Sequence, residues 1–381
     1  MNGRLSLCVV LGCSVLHGVA EADDGMYPNV GIEYDATFQY DRSKAKSGND
    51  RTTSDGYLDL VSTVHFRFSP DTEIWLGTEV NPVVDIKPGQ ERWFKGLGLT
   101  VTDLNFYQQG VSTGYRIGKI QVPFGRAQDA APGLYTKDFV KAYDRGGMLG
   151  ATGEYRYFNE RIGNIAPNLS LYTQDNTFLS RPYLRPGKQA SQADGGAANT
   201  GRLNSYAATV NWTSWPAMPF LEAQVAYMRN AKGRPVPPPA PDPGQPPQPA
   251  TPAAAETVKG LSLRAIIPSM RSTDLGPTLH GEYLDFVPFV EYVDVQNEGG
   301  NQGADTTYLT TALTVDYGRW NYGITGTRRG LSGKPDERLT ELSVGYQLTG
   351  VIKLAGSIGR EKVDGKTSDL IGFTITYSGG Y

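Results

Sequence analysis

Two histidines, His65 and His280, are the candidates for acid–base chemistry downstream of an apolar leader. A catalytic histidine needs a hydroxyl or water within hydrogen-bond reach. His65 shares a parity with Asp59, but Ser62 falls on the other. His280 stands beside Gly281 and Glu282. Neither setting predicts a nucleophile–base pair. No zinc spacing, phosphate-binding loop or dinucleotide glycine pattern is present, and Asp23-Asp24 reads as a solvated pair. No cofactor, no metal and no catalytic residue is expected.

Charges at alternate positions are the more promising chemistry. The acidic set is Asp59, Glu73, Glu79, Glu154 and Glu222, continuing through Asp285, Glu291, Asp316, Glu341 and Glu361. The basic set is Arg67, Arg116, Arg156, Arg264, Arg329 and Lys353. Facing a narrow water-filled space, such charges would filter ions and orient solutes. The acidic lean points to a weak preference for cations and against a phosphate-selective ladder. The alternative is that these groups pair across strands and set no selectivity.

Strands must position these residues, because apolar side chains recur at every second position. Val30, Ile32, Tyr34, Ala36, Phe38 and Tyr40 oppose Glu33, Asp35, Thr37 and Gln39. Leu58, Leu60, Val64, Phe66 and Phe68 oppose Asp59, Thr63, His65 and Arg67; Ile371, Phe373, Ile375 and Tyr377 oppose Gly372, Thr374 and Thr376. Successive side chains of a strand point to opposite faces, so each segment has one apolar and one polar face. A soluble sandwich turns the apolar face inward; a membrane barrel turns it outward.

Four features choose the barrel. The polar faces carry charges alongside small residues. Aromatics such as Tyr40, Phe68, Tyr155, Trp212, Trp320 and Tyr377 gather at segment ends, as interfacial girdles would. Segments of about 8–13 residues suit tilted spanning strands. Connections also alternate in length. Sixteen segments are read: 29–40, 57–68, 72–82, 99–108, 113–122, 148–157, 167–174, 203–213, 220–229, 259–268, 281–295, 306–317, 320–329, 338–348, 351–361 and 368–377. Short turns such as Ser69-Pro70-Asp71 and Gly318-Arg319 follow even-numbered segments. Long connections such as 41–56, 123–147, 175–202 and 230–258 follow odd-numbered ones. The expected fold is all-β: a transmembrane antiparallel β-barrel of about 16 strands, with short periplasmic turns and long external loops. The Pro-rich run 234–252, within 230–258, reads as an external loop in polyproline conformation.

Residues 1–22 read as a secretory signal, with Arg4, an apolar run from Leu5 to Val19, and the Ala20-Glu21-Ala22 cleavage pattern. Val10-Leu11-Gly12-Cys13 loosely matches a lipoprotein processing box, a rival within the same export reading. Both cysteines, Cys8 and Cys13, lie in this segment. Residues 23–381 are then free of cysteine, which excludes disulfides and thiolate metal sites. The net charge of -3 argues against a nucleic-acid partner.

Gly118-Lys119-Ile120-Gln121-Val122-Pro123-Phe124-Gly125 is similar to the glycine-basic-aliphatic-PFG stretch of Gram-negative outer-membrane porins. The terminal Tyr381 and the strand before it resemble the signal such barrels present to the barrel-assembly machinery. The resemblance implies an outer-membrane channel for small hydrophilic solutes or ions, surrounded by lipid, and a homotrimer. It also implies that the loop after the fifth strand, here 123–147, folds inward as a constriction. That loop carries Arg126, Asp129, Lys137, Asp138, Lys141, Asp144 and Arg145. The alternatives are a channel specific for a siderophore or oligosaccharide, a barrel enzyme, and a secreted sandwich adhesin. A parity switch at Gly118 leaves the direction of Lys119 open.

Overall fold

The computed structural model describes residues 26–46, 51–185, 187–237, 251–268 and 284–381. The chain opens with β1 (Asn29–Ala45), β2 (Thr52–Ser69), β3 (Thr72–Pro82), β4 (Glu91–Trp93), β5 (Leu97–Gln109) and β6 (Thr113–Val122). Next come β7 (Arg145–Tyr155), β8 (Tyr157–Asn159), β9 (Gly163–Gln174), β10 (Ser205–Thr213), β11 (Leu221–Asn230), β12 (Glu256–Ala265) and β13 (Ile267–Pro268). It ends with β14 (Leu284–Gln296), β15 (Thr306–Tyr317), β16 (Trp320–Leu331), β17 (Glu337–Gln347), β18 (Ile352–Val363) and β19 (Lys366–Gly380).

Each long strand pairs antiparallel with the next, and β1 pairs with β19 from Glu33 opposite Gly380 to Ala45 opposite Ser368. That last ladder closes a sixteen-stranded barrel. The three short strands add no wall. β8 and β13 continue β7 and β12 past a break, and β4 lies parallel on the upper end of β2. Closure gives every wall strand a neighbour on both sides, as a sheet in hydrocarbon requires, with a gap where the upper ends of β5 and β6 part.

All sixteen segments read from the sequence are wall strands, and 72–82, 113–122 and 306–317 keep the same ends. The connection expected at 41–56 shrinks to 46–51, because β1 and β2 continue pairing to Lys44 opposite Thr52. The loop expected at 123–147 ends at Asp144, so Arg145 is the first residue of β7. The leader 1–22, His280 and the middle of the Pro-rich run lie outside the described residues.

The outward faces are apolar. Val30, Phe66, Ile117, Leu171, Val225, Leu342, Ile358 and Ile371 are all exposed, whereas Thr310, Thr325, Ser357 and Thr374 are buried toward the interior. This arrangement is inside-out relative to a soluble domain and suits a barrel whose solvent is lipid. Phe68, Tyr155, Tyr157, Trp320, Tyr322 and Tyr377 form an exposed aromatic rim at the short-turn end. At the long-loop end Trp93 stacks on Tyr40 with ring centroids 5.4 Å apart, and Phe94 lies 5.7 Å from Phe38.

The interior is not uniformly polar. On β11, β12 and β14, Ala226, Met228, Val258, Phe289, Val293 and Val295 point inward and are buried in one apolar cluster with Phe124, Ala127, Val140 and Tyr143. An interior face this apolar needs a cover, and the segment 123–144 supplies it.

Candidate functional site

Segment 123–144 leaves the wall where β5 and β6 part. Their ladder runs only from Gln109 opposite Gly114 to Leu104 opposite Lys119. Gly118 marks the separation. It has φ +138°, and a Cβ there would stand 2.3 Å from the Leu104 carbonyl oxygen, so no other residue fits. Beyond it Lys119 sits opposite Leu104 and Leu149, on the outward parity. Its ammonium is nevertheless buried: Nζ lies 2.9 Å from Asp175 Oδ2 and donates to the Leu179 carbonyl at 2.8 Å. Leu99 of β5 bridges to Tyr183, so the 175–183 segment fills the opening between the two strands.

The inward segment carries two short helices, α1 (Ala127–Ala130) and α2 (Thr136–Val140). The first backbone N–H groups of a helix lack partners within it. Here two wall carboxylates supply them. Glu291 of β14 accepts from Arg126 N at 2.5 Å, Ala127 N at 3.3 Å, the Tyr143 hydroxyl at 2.5 Å and Ser262 Oγ at 2.6 Å. Glu341 of β17 accepts from Leu134 N at 2.5 Å, Tyr135 N at 3.2 Å, Thr136 N at 3.2 Å and Thr136 Oγ1 at 3.1 Å. Both glutamates are only 1% exposed. Fixed N–H dipoles thus replace the water an ionised carboxylate would lose. Gly133, at φ +114°, leaves room for Glu341: a Cβ there would stand 2.3 Å from its carboxylate. Burial, then the charge of Glu291, pushes the Tyr143 hydroxyl well above its ordinary pKa, so it remains a donor.

Further anchors complete the crossing. Arg126 Nη2 lies 2.8 Å from Glu222, which Arg264 also approaches at 3.4 Å. Thr325 Oγ1 donates to the Pro132 carbonyl at 2.7 Å. Phe139 packs with Leu339 and Leu370, with the Arg329 guanidinium 5.2 Å from its ring. Arg329 also pairs with Glu337, and Arg145 pairs with the buried Glu256.

These contacts redistribute the charges read from the sequence. Glu291, Glu341 and Glu222 face the interior but lie beneath the segment, so they anchor it and do not line open water. Arg126, Arg264 and Arg329 are drawn into the same work. What remains faces a cavity of about 970 Å³ on the β1–β9 side. Arg67, Arg116 and Glu154 line it from the wall, and Asp129 and Asp144 line it from the inward segment. Glu33, Asp35 and Asp103 add carboxylates that were not among the candidates. The alternation had already placed Glu33 and Asp35 on the polar face.

Within the cavity Arg116 lies over Trp75, 4.3 Å from the ring centroid, and 5.1 Å from that of Tyr107. His65 Nδ1 is 3.1 Å from Glu73, and Arg67 is 3.6 Å from the same carboxylate. Ser62 shares a 2.8 Å hydrogen bond with Thr78 on the outer face, so it never meets His65. Glu154 pairs with Arg156 at 3.0 Å.

Other candidates sit elsewhere in the barrel. Asp59 shares a charged neighbourhood with Glu79, Asp35 and Lys137 of α2. Asp138 pairs with Lys141 at 3.0 Å on the exposed side of the segment. Asp285 and Asp316 face each other across β14 and β15 near the short-turn rim, where Lys353 of β18 also points inward. Burial holds Asp144 above the ordinary carboxylate range, with the charge of Asp129 adding to the rise and Arg145 opposing it.

No family model and no curated protein matches the chain. Solved structures do match its fold. An anion-selective porin from Comamonas acidovorans superposes with a TM-score of 0.52 at 10% identity, covering 92% of this chain and 100% of that one. The outer-membrane channel DcaP of Acinetobacter baumannii gives 0.51 at 9% identity, covering 92% and 98%. OmpT, an outer-membrane protein of Vibrio cholerae, gives 0.52 at 9% identity, covering 93% and 99%. The chain therefore has the barrel fold of outer-membrane porins.

Proposed function

We propose that this barrel is an outer-membrane porin, passing small hydrophilic solutes or ions by diffusion through a lumen narrowed by residues 123–144. The observation that carries the reading is the seating of that segment. Glu291 and Glu341 bind its helix starts across the interior, and a water-accessible cavity rimmed by Asp129, Asp144 and Arg116 remains beside it. A wholly filled barrel would have no such passage, and an open one would not discriminate by charge. The carboxylates around the cavity outnumber its arginines, which supports a preference for cations. This differs from the behaviour stated for the Comamonas porin, and its basis is the side chains of this chain alone. The short-turn rim then faces the periplasm, and residues 1–22 direct export.

The test is single-channel current of the refolded barrel in a planar bilayer under a salt gradient. Ohmic steps with a reversal potential displaced toward the cation side are expected. Silence from a folded barrel would overturn the open-channel reading.

A second reading has one observation in its favour. Trp75, Tyr107 and Arg116 form an aromatic–cation group on the cavity wall, a surface suited to stacking a ring-bearing solute. Saturable block of the current by one solute, lost in Trp75→Ala, would favour a substrate-specific channel.

A further inference from the structure

The wall has a seam above Lys119. β5 keeps its ladder to β3 up to Leu97, and β6 keeps its ladder to β7 up to Val122, yet the two pair with each other only as far as Leu104 opposite Lys119. Among the described residues, one bridge occupies the open edge of β5 above Leu104: Leu99 and Tyr183 exchange backbone hydrogen bonds at 2.9 and 2.6 Å. Residues 175–183 form a strap over this seam. They leave the end of β9 and reach β5 across the outward face of β6, burying Lys119 beneath them. The strap lies outside the strand ladders of the wall, and Phe178, Tyr183 and Leu184 are exposed on it. Leu184, just past the bridge, has φ +65°, a left-handed backbone that a side-chain-bearing residue adopts at a cost.

Thr113 pairs with Tyr155 of the aromatic rim, and Lys119 stands farther up the same strand. At about 3.3 Å per residue and a tilt of roughly 40°, the seam starts about 15 Å above that rim, within an apolar band about 25 Å tall. The strap therefore covers the seam at the level of the acyl chains. On the inner side the cavity of about 970 Å³ reaches Asp103 of β5 and Gln121 of β6, the two edges of the seam. Two polar groups mark its base. The Lys119 ammonium donates to the Leu179 carbonyl of the strap as well as meeting Asp175. Asn105, opposite Gly118 and only 2% exposed, donates to the Lys119 carbonyl at 3.1 Å, but its Oδ1 has no hydrogen-bond partner. A buried acceptor is seldom left without a donor.

We propose that the seam is a side portal between the bilayer and the cavity, opened by lifting of residues 177–183, and that it admits an alkyl chain bearing an uncharged hydroxyl head. Lifting takes the Leu179 carbonyl away from Lys119, while Asp175 stays at the end of β9. A hydroxyl replaces what is lost and supplies what is missing: its oxygen accepts from the Lys119 ammonium, and its O–H donates to Asn105 Oδ1. A carboxylate head would sit beside Asp175 and then face Asp129 and Asp144 in the cavity, and an ammonium head would meet Lys119. An uncharged head avoids both repulsions and the cost of stripping water from an ion.

The test places the refolded barrel, residues 23–381, in phosphatidylcholine vesicles containing dodecanol with a diazirine on its chain. Irradiation followed by peptide mass spectrometry reads labelling of Trp75 and Tyr107, which line the cavity, against labelling of the outward Leu171 and Val225. This readout needs no ionic current, so its failure is distinct from failure of the open-channel reading. In Leu99→Cys/Tyr183→Cys a disulfide locks the strap to β5, because directly opposed residues stand about 5.5 Å apart and residues 23–381 hold no other cysteine. Oxidation should lower labelling of Trp75 and Tyr107 at least tenfold, reduction should restore it, and labelling of Leu171 and Val225 should stay the same. Asn105→Leu should lower the cavity labelling several-fold, and dodecanoate with the same diazirine should label the cavity at least tenfold less than the alcohol. Cavity labelling that is absent, or equal in the oxidised and reduced barrels, overturns the portal. Equal labelling by the alcohol and the carboxylate, or unchanged labelling in Asn105→Leu, overturns the assignment of its head group.

Discussion

Glu341 and Thr136 meet across the barrel interior: one carboxylate oxygen of the wall glutamate accepts both the backbone N–H and the hydroxyl of the threonine, at 3.2 and 3.1 Å. The pair is buried, and it fixes the start of α2 against β17. Removing the carboxylate leaves buried donors unsatisfied, at about 1–3 kcal/mol each. In Glu341→Ala that cost falls on the seating of the segment, because the sixteen-strand ladder does not depend on it. The variant should refold and keep heat-modifiable mobility, but conduct about 1.5–3 times more current with noisier open levels. Unchanged conductance would show that the segment does not gate the passage.

Arg116 lines the cavity from the wall, stacked over Trp75. Replacing it with Ala removes one positive charge from the cavity that Asp129, Asp144 and Glu154 also line. The reversal potential in a salt gradient should move further toward the cation side, by several millivolts. Asp129→Asn should move it back. Equal reversal potentials in both variants would place the selective step elsewhere.

Asp144 makes the selectivity sensitive to pH. Its folded-state pKa lies above the ordinary carboxylate value because of burial and Asp129. A raised carboxylate pKa means the proton is taken up earlier as pH falls. Cation preference should thus begin to decline earlier than an ordinary carboxylate would allow, and Asp144→Asn should make that early decline smaller. A titration identical in the variant would refute the assignment.

Lys119 and Asp175 close the opening between β5 and β6 with side chains only 6% and 2% exposed. Leaving either charge alone in that setting costs about 3–5 kcal/mol, whereas replacing both with apolar residues of similar volume is often near neutral. Lys119→Met and Asp175→Leu should each lower the thermal midpoint for loss of heat-modifiable mobility. The double variant should recover most of the loss. Additive losses would mean the two residues act independently.

The local physics of a strand made the wall legible in the chain. Period-two alternation in β1, β2 and β19 needs no long-range information, because adjacent side chains must point to opposite faces. It therefore located the wall strands, and the aromatic segment ends and alternating loop lengths chose which side of each meets lipid. The parity break at Gly118 was legible for the same reason, and the Pro123-Phe124-Gly125 stretch after it carried the porin resemblance that implied an inward loop. Tertiary structure alone decided where that segment goes. Glu291 and Glu341 look like any other polar-face carboxylates until α1 and α2 arrive from more than 160 and 200 residues away in sequence. Once they arrive, these charges leave the water and become anchors, and the cavity beside the segment is lined by Asp129, Asp144 and Arg116. The direction of Lys119 was likewise undetermined until Asp175 was brought beside it. Alternation reports which face a residue occupies; what it meets on that face depends on how the chain closes on itself.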